Sequence, residues 1–278
     1  MTYEERLKKS CNKGYLCIGL DPVPEKLPEP LRKARNGVAR FVEAIILATS
    51  PYAAAYKPNL AFFEALGRDG EAALERAVDA VRVHAPHALL IGDGKRGDIG
   101  STAERYASAL FDRYGFDAAT VNPWFGADGV LPFTEREEHG VYLLAATSNP
   151  SSAQVQESGD DPLYLRIARL ASEEWNQHNN IGLVVGATRV ETMTAIRETA
   201  PELPWLIPGI GAQGGDLEAS VRHGMGENAI PSMINSSRGI LYASSGEDFR
   251  EAAAQQAQEL AENIRNSVAG IVQGWNTP

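Results

Sequence analysis

The 278-residue chain is 44% hydrophobic and has a formal net charge of −10 at pH 7. This acid excess argues against binding the phosphates of nucleic acid, and no apolar run approaches the roughly 20 residues of a membrane span. The polar start without an apolar signal segment, and the presence of only two cysteines (Cys11 and Cys17), predict a cytoplasmic protein.

Short apolar runs rich in β-forming residues recur along the chain, with helix-length segments between them. Strands are predicted at Tyr15–Leu20, Ala53–Tyr56, Ala88–Ile91, Ala118–Val121, Val141–Ala145, Gly182–Val185, Trp205–Ile207 and Ile230–Ile234. Apolar residues at helical spacing predict helices at Gly70–His84 and Leu163–Asn176, and a final helix spans about Glu247–Ile271. Alternating strands and helices predict parallel βαβ units, and eight such units predict an α/β fold, a (β/α)₈ TIM barrel with residues 1–278 as one domain. An open doubly wound sheet is the alternative, but no G-x-G-x-x-G motif follows the first strand to favour it.

Polar or glycine-rich residues follow almost every predicted strand. Barrel enzymes place their chemistry at the C-terminal ends of the strands. We therefore expect Asp21 after the first strand, Lys57 after the second, and Asp93, Lys95 and Asp98 after the third to converge at the barrel mouth. Turns and caps would not require lysines at two strand ends with three carboxylates beside them, so the pattern favours an enzyme.

The charges at the third strand end restrict the chemistry. A Lys57–Asp93 pair taken alone is equally well explained as a structural ion pair. A charged Lys95 among carboxylates is a poor Schiff-base nucleophile but a good stabiliser and proton donor for a carbanion. Two lysines interleaved with the carboxylates oppose a Mg²⁺ site, and the five histidines are dispersed, so no metal site is expected.

The seventh and eighth units carry residues suited to an anion. Gly209, Gly211 and Gly214 form a loop whose backbone N–H groups can approach a ligand, and Gln213 adds an amide donor. Arg238 follows the eighth strand, and its planar guanidinium suits bidentate contact with phosphate. Because barrels often bind phosphate at this position, the sequence predicts a phosphate site here.

The segment 93–102 reads D-G-K-R-G-D-I-G-S-T. It resembles the D-x-K-x-x-D-I-x-x-T signature of the orotidine 5′-phosphate decarboxylase family, especially its longer bacterial and archaeal type 2 subgroup. Further matches run along the chain, at 19–22, 56–59, 121–123, 147–150, 208–216 and 235–240. The resemblance implies an enzyme without metal or organic cofactor that converts orotidine 5′-monophosphate to UMP and CO₂, the last step of de novo UMP biosynthesis.

The resemblance also implies a role for each residue of the signature. Lys95 would protonate C6 of the pyrimidine after CO₂ departs, and Asp93 would lie beside the substrate carboxylate and hold Lys95. Asp98 would enter the site of a partner subunit, with Ile99 and Thr102 completing the shared edge. The implied active unit is therefore a homodimer.

The remaining matched positions are implied to bind the substrate. The ribose would contact Asp21 and Lys57, the pyrimidine Ser148, and the phosphate Gln213 and Arg238, with Pro123 also in the substrate site. One residue departs from the family pattern: Gly94 stands where alanine or another small or apolar residue is usual. We expect catalysis to survive with Lys95 less rigidly held, which the turnover of Gly94→Ala tests. The loop Pro150–Asp161 fits either a lid or an idle insertion.

Two other functions remain to be weighed against this one. Mg²⁺-dependent sugar-phosphate decarboxylases and hexulose-phosphate synthases share the D-x-K-x-x-D core, but they carry a metal-binding acid where this chain has Lys57. A non-catalytic nucleotide-binding barrel would keep the phosphate site and lose the charged set, which is complete here. The sequence therefore favours the decarboxylase.

Overall fold

Eight parallel strands close into a barrel in the computed structural model, which describes residues 1–187, 189–210, 216–226 and 230–275. The strands are β1 (Leu16–Leu20), β2 (Ala55–Pro58), β3 (Leu89–Arg96), β4 (Ala118–Val121), β5 (Gly140–Ala146), β6 (Ile181–Val185), β7 (Trp205–Ile207) and β8 (Met233–Ser236). Each strand pairs with its neighbours in chain order, and β8 pairs with β1. The predicted barrel fold is confirmed.

Helices surround the barrel and connect its strands. They are α1 (Tyr3–Cys11), α2 (Glu29–Arg32), α3 (Gly37–Thr49), α4 (Leu60–Glu64), α5 (Gly67–His84), α6 (Gly100–Ser108), α7 (Ala127–Thr134), α8 (Ala153–Gln156), α9 (Leu163–Glu173), α10 (Val190–Thr199), α11 (Leu217–Met225), α12 (Arg238–Leu241) and α13 (Phe249–Trp275). The three predicted helices correspond to α5, α9 and α13. Within the described part of the chain, no helix is both long enough and apolar enough to cross a membrane.

Six strands differ from their predicted bounds, and β3 and β8 differ by three residues or more at one end. β3 continues to Arg96, well past the predicted end at Ile91, because strand pairing is made by backbone groups and does not require apolar side chains. β8 begins at Met233 rather than at Ile230. Pro231 has no N–H to donate to a neighbouring strand, which explains the later start.

The core has two layers, because side chains alternate along each strand. One set, which includes Ile18 and Leu90, packs outward against residues of the surrounding helices such as Phe41. The other set points into the barrel and includes Cys17 and Ile91. The inner layer fills the N-terminal half of the barrel and supports the functional residues above it.

Helix α1 closes the N-terminal end of the barrel. Thr2 caps this helix in a reciprocal arrangement with Glu5, which fixes its first turn. The Tyr3 ring is buried, and its hydroxyl donates a hydrogen bond to the hydroxyl of Tyr142 at 2.9 Å. A Cβ at Gly140 would lie 2.3–2.5 Å from atoms of the Tyr3 ring, so only glycine permits this contact.

Candidate active site

The interior of the barrel changes from apolar to polar along β2, β3, β4 and β8. In β2, Ala55 lies in the inner core and Lys57, two residues later, reaches the cavity above it. In β3, Ile91 and Asp93 show the same change. Because inward residues recur with period 2, the end of each strand delivers its next inward side chain to one shared space.

That space is a cavity of about 670 Å³ at the C-terminal end of the barrel. The sequence-predicted residues that line it are Asp21, Lys57, Asp93, Lys95, Ser148, Gly209 and Arg238. They come from strand ends spread around the barrel, as expected for the mouth of an α/β barrel.

Asp93 is the centre of a charged network with Lys57 and Lys95. Lys57 Nζ donates to Asp93 Oδ2 at 2.6 Å, and Lys95 Nζ donates to Asp93 Oδ1 at 2.5 Å. Thr120 Oγ1 donates to the same Oδ1 at 2.9 Å. Lys57 and Asp93 are buried, whereas the Lys95 side chain is 46% exposed toward the cavity. The predicted convergence of these three charges is confirmed.

Mutual attraction keeps the buried pair charged. Burial alone would raise the pKa of Asp93, but Lys57 and Lys95 outweigh burial and hold that pKa far below its usual range. Burial alone would lower the pKa of Lys57, but Asp93 and Asp21 outweigh it and raise the pKa above its usual value. Asp93 and Lys57 are therefore both ionised across the neutral pH range.

Two buried oxygen atoms on neighbouring strands have no hydrogen-bond partner among the described residues. They are Asp21 Oδ1, just after β1, and Asn235 Oδ1 in β8. Both residues line the cavity. Burying a polar atom without a partner is costly, so these acceptors are suited to the hydroxyl groups of a bound ligand.

The predicted phosphate end is described in part. Gly209 has φ +105°, a conformation that favours glycine, and it lines the cavity together with the exposed Arg238. Gly211, Gln213 and Gly214 lie outside the described residues. Arg238 is thus in position to bind an anion at the mouth of the cavity.

The segment after β5 is folded onto itself beside the cavity. The Thr147 N–H donates to Gln156 Oε1 at 2.9 Å, and Gln156 Nε2 donates to Thr147 Oγ1 at 3.0 Å. These bonds tie α8 to the residue that precedes Ser148, which lines the cavity. The loop predicted as Pro150–Asp161 therefore contains helical turns and supports one edge of the site.

Arg189, after β6, joins this segment to the next loop. Its guanidinium donates to Ser152 Oγ at 2.8 Å and forms an ion pair with Glu157. The side chains of Arg189 and Glu157 are both about one-third exposed. The two loops are thereby held together, and one of them carries Ser148 of the cavity lining.

Four predicted site residues do not line the cavity of their own chain. They are Asp98, Ile99, Thr102 and Pro123, each of which is described. The expectation that Asp98 joins the other charges within one chain is therefore wrong. The reason is that the chain leaves the barrel after β3: Asp98 Oδ1 accepts the N–H of Ile99 at 2.8 Å, and Ile99 is 53% exposed.

The donor set of the site does not suit a metal. Within residues 1–187, 189–210, 216–226 and 230–275, no group of three His, Cys, Asp or Glu side chains could hold an ion. Cys11 and Cys17 are free and buried in the inner core. The chemistry available at the cavity is that of lysine, arginine, carboxylate, amide and hydroxyl groups.

The sequence analysis assigned no role to Thr120, Asn235 or Arg189, although Asn235 lies in the matched segment 235–240. Thr120 and Asn235 share a signal that was available, because each is a polar residue two positions after an inward apolar residue of its strand, Ala118 or Met233. Arg189 had no comparable signal, since its partners come from another loop. Its position follows only from the three-dimensional structure.

Comparisons with known proteins give a consistent result. Residues 14–266 match the family model described as "Orotidine 5'-phosphate decarboxylase / HUMPS family". The orotidine 5′-phosphate decarboxylase of Herpetosiphon aurantiacus is 48% identical over 256 residues, covering 91% of this chain and 93% of that protein. The enzyme of the same name from Cellvibrio japonicus is 45% identical over 270 residues, covering 95% and 98%. The solved structure of Leishmania donovani OMP decarboxylase has a TM-score of 0.82 and 36% identity, covering 96% of this chain and 99% of that one.

Proposed function

The chain belongs to the orotidine 5′-phosphate decarboxylase / HUMPS family, and on that premise we propose that it is a carboxy-lyase that converts orotidine 5′-monophosphate to UMP and CO₂. The observation that carries the proposal is the charged network of Lys57, Asp93 and Lys95 in the cavity. Lys57 also stands where the Mg²⁺-dependent relatives carry an acid, which favours the nucleotide decarboxylase over them.

Lys95 is the residue suited to the chemical step. When the bond between C6 and the carboxylate breaks, CO₂ leaves and the electron pair remains on C6. The Lys95 ammonium stabilises this negative charge and then transfers a proton to C6, and water restores the proton to lysine. Asp93 orients Lys95, and its own charge lies close to the place of the departing carboxylate.

The remaining residues have roles in binding the nucleotide. Asp21 and Lys57 are suited to the ribose hydroxyls, and Ser148 to the pyrimidine. Arg238, with Gly209 and with Gln213, Gly211 and Gly214 of the same loop, is suited to the phosphate. Binding at the phosphate and ribose supplies free energy that places C6 at Lys95.

We further propose a homodimer in which Asp98, Ile99 and Thr102 complete the site of the partner, with Pro123 in the adjoining loop. Asp98 does not line its own cavity, and exposed apolar side chains lie beside it, which supports this arrangement. Residues 1–278 are proposed to act as one domain. Buried free thiols and the acidic net charge support a cytoplasmic protein without nucleic-acid partners.

The test is the loss of orotidine 5′-monophosphate absorbance on adding EDTA-treated protein, with UMP formation measured in parallel. Lys95→Ala is expected to lower turnover by about 10³-fold or more, because it removes both the proton donor and the stabilising charge. Lys13→Ala is the matched control, since this lysine is exposed and lies away from the cavity. Its turnover should equal that of the unaltered protein.

Two results would contradict the proposal. Turnover of sugar phosphates alone, and only with added Mg²⁺, would assign the chain to the metal-dependent relatives. Tight UMP binding without turnover of either substrate would indicate a nucleotide-binding regulator.

A further inference from the structure

Thr120 is a buried polar residue at the centre of β4. It is 1% exposed, and its neighbours Ala119 and Val121 are apolar core residues. Its Oγ1 makes two hydrogen bonds at once, donating to Asp93 Oδ1 at 2.9 Å and accepting from the backbone N–H of Lys95 at 2.9 Å. One hydroxyl therefore contacts both the carboxylate of the charged network and the backbone of the lysine.

The backbone of β3 explains why this hydroxyl is needed. Gly92 pairs with Ala119 and Arg96 pairs with Val121, so the three residues between Gly92 and Arg96 stand opposite Thr120 alone. At this bulge the Lys95 N–H donates to the Thr120 hydroxyl of β4. Bulges of this kind re-aim a side chain relative to the sheet.

The conformation of Lys95 adds a second reason. Lys95 has φ +45°, which is an unfavourable region for a residue with a side chain. Such a conformation persists only where the surrounding structure fixes it. The hydrogen bond from the Lys95 N–H to Thr120 lies directly at this backbone, so the hydroxyl holds the strained residue in place.

The same hydroxyl also fixes the carboxylate. Asp93 Oδ2 accepts from Lys57, and Oδ1 accepts from both Lys95 and Thr120, so the carboxylate can keep only one orientation. Thr120 is β-branched, and its stiff side chain makes this orientation more rigid. The backbone of Lys95 and the group that holds its ammonium are thus fixed by one side chain.

We propose that Thr120 is a positioning residue for the decarboxylation, and this role rests on the proposed function. It acts through Asp93 and Lys95 and aims the Lys95 ammonium at C6 of the substrate. The chemical step is sensitive to this aim, because a displacement of about 1 Å in a reacting group can lower a rate about 100-fold.

The test compares Thr120→Val, which keeps the side-chain shape and removes the hydroxyl, with Thr120→Ser, which keeps the hydroxyl. We expect Thr120→Val to lower kcat for orotidine 5′-monophosphate about 10- to 100-fold, with KM and the Kd for UMP changed less than about threefold. Thr120→Ser should recover most of kcat. Thr134→Val is the control, because Thr134 is also buried, its hydroxyl donates to Leu131 O, and it does not line the cavity.

The outcomes separate this role from the proposed function. Normal kcat in Thr120→Val would overturn the positioning role alone. Equal losses in the valine and serine variants, accompanied by equal losses of Tm, would also overturn it, because they would indicate packing rather than the hydroxyl. Absence of turnover by the unaltered protein would overturn the proposed function and the role that rests on it.

Discussion

Asp93 holds two lysines through different oxygen atoms. Lys57 is bound to Oδ2 and is buried, whereas Lys95 is bound to Oδ1 and extends into the cavity. The buried pair is structurally costly, since removing two charges from water is only partly offset by their attraction. That cost is reasonable at a functional site, because it keeps a fixed anion next to the exposed ammonium of Lys95.

Replacing Asp93 should therefore affect stability as well as turnover. Asp93→Asn leaves Lys57 buried without its closest counter-charge, and we expect the free energy of unfolding at pH 7 to fall by about 3–5 kcal/mol. Urea unfolding monitored by circular dichroism measures this change. Glu4→Gln, in the exposed Lys8–Glu4 pair, should change the free energy by less than about 0.5 kcal/mol.

In the same experiment, the free energy of unfolding of the unaltered protein should decrease at both acidic and strongly alkaline pH. The lowered pKa of Asp93 stabilises the fold above the ordinary Asp value of about 4, and this contribution is lost as the pH falls below it. The raised pKa of Lys57 stabilises the fold below about 10.4, and this contribution is lost as the pH rises beyond it. Asp93→Asn should reduce the decrease in the free energy of unfolding at acidic pH. An unchanged decrease would contradict the stabilising role of the Asp93 charge.

Single residues of the site were predictable when their chemistry was visible in the motif. The positions of Lys57, Asp93 and Lys95 at the barrel mouth were predictable, because the residues are charged and side chains alternate along a strand with period 2. Thr120 was not predicted, because one threonine in an apolar run is common and its role depends on a bulge in the neighbouring strand. A Cβ at Gly94 would lie 2.9 Å from Leu60 Cδ1, a side-chain end, so the structure leaves room for alanine with a small shift.

At the scale of elements, the apolar runs predicted every strand of the barrel but not every boundary. The prediction used side chains, whereas strand pairing uses backbone groups, and β3 extends beyond Ile91 for this reason. The turns after β5 were also missed. Their structure depends on side-chain hydrogen bonds such as that between Thr147 and Gln156, for which polar loop residues give no periodic signal.

The contact between the β5 and β6 loops leads to a prediction. Arg189→Met removes the bonds to Ser152 and Glu157 and should lower kcat/KM for orotidine 5′-monophosphate about tenfold, because the Ser148 edge of the cavity is then less ordered. Steady-state kinetics measure this change. Arg166→Met is the control, since Arg166 binds the exposed Asp161 outside the cavity.

A double substitution tests whether the contact itself matters. If Arg189 and Glu157 act through each other, Arg189→Met combined with Glu157→Gln should be no worse than Arg189→Met alone. Fully additive losses would show that Arg189 acts in some other way.

For the whole molecule, the main consequence concerns the surface beside Asp98. Ile99, Trp124 and Phe125 are large apolar side chains with exposed fractions of 53%, 67% and 49%. Phe125 also lies against the backbone at Gly97, so the loops after β3 and β4 form one surface. An apolar surface next to an acid that does not line its own cavity suits a second copy of the chain.

Mixing inactive variants tests the shared site. Lys95→Ala and Asp98→Ala homodimers should each be nearly inactive, but subunit exchange creates heterodimers with one intact site. With random exchange, half of the dimers are mixed and each has one good site of two, so activity should return to about a quarter of the unaltered value. Steady-state turnover after mixing measures the recovery.

The control for this mixture uses two residues of the same chain's cavity. Lys95→Ala mixed with Asp93→Asn should not recover, because each site of the mixed dimer keeps one defect. Recovery in this control, or none in the first mixture, would contradict a site completed by the partner's Asp98.

Because the Tyr3 ring and α1 close the far end of the barrel in the described residues, the cavity works as a blind pocket. The substrate, the CO₂ and the UMP of the proposed reaction must therefore all pass through the same opening of the cavity. In the proposed reaction we expect CO₂ to leave before UMP, because the ribose and phosphate contacts hold the nucleotide. We therefore expect UMP to compete with the substrate for this cavity, so that a surplus of UMP slows turnover.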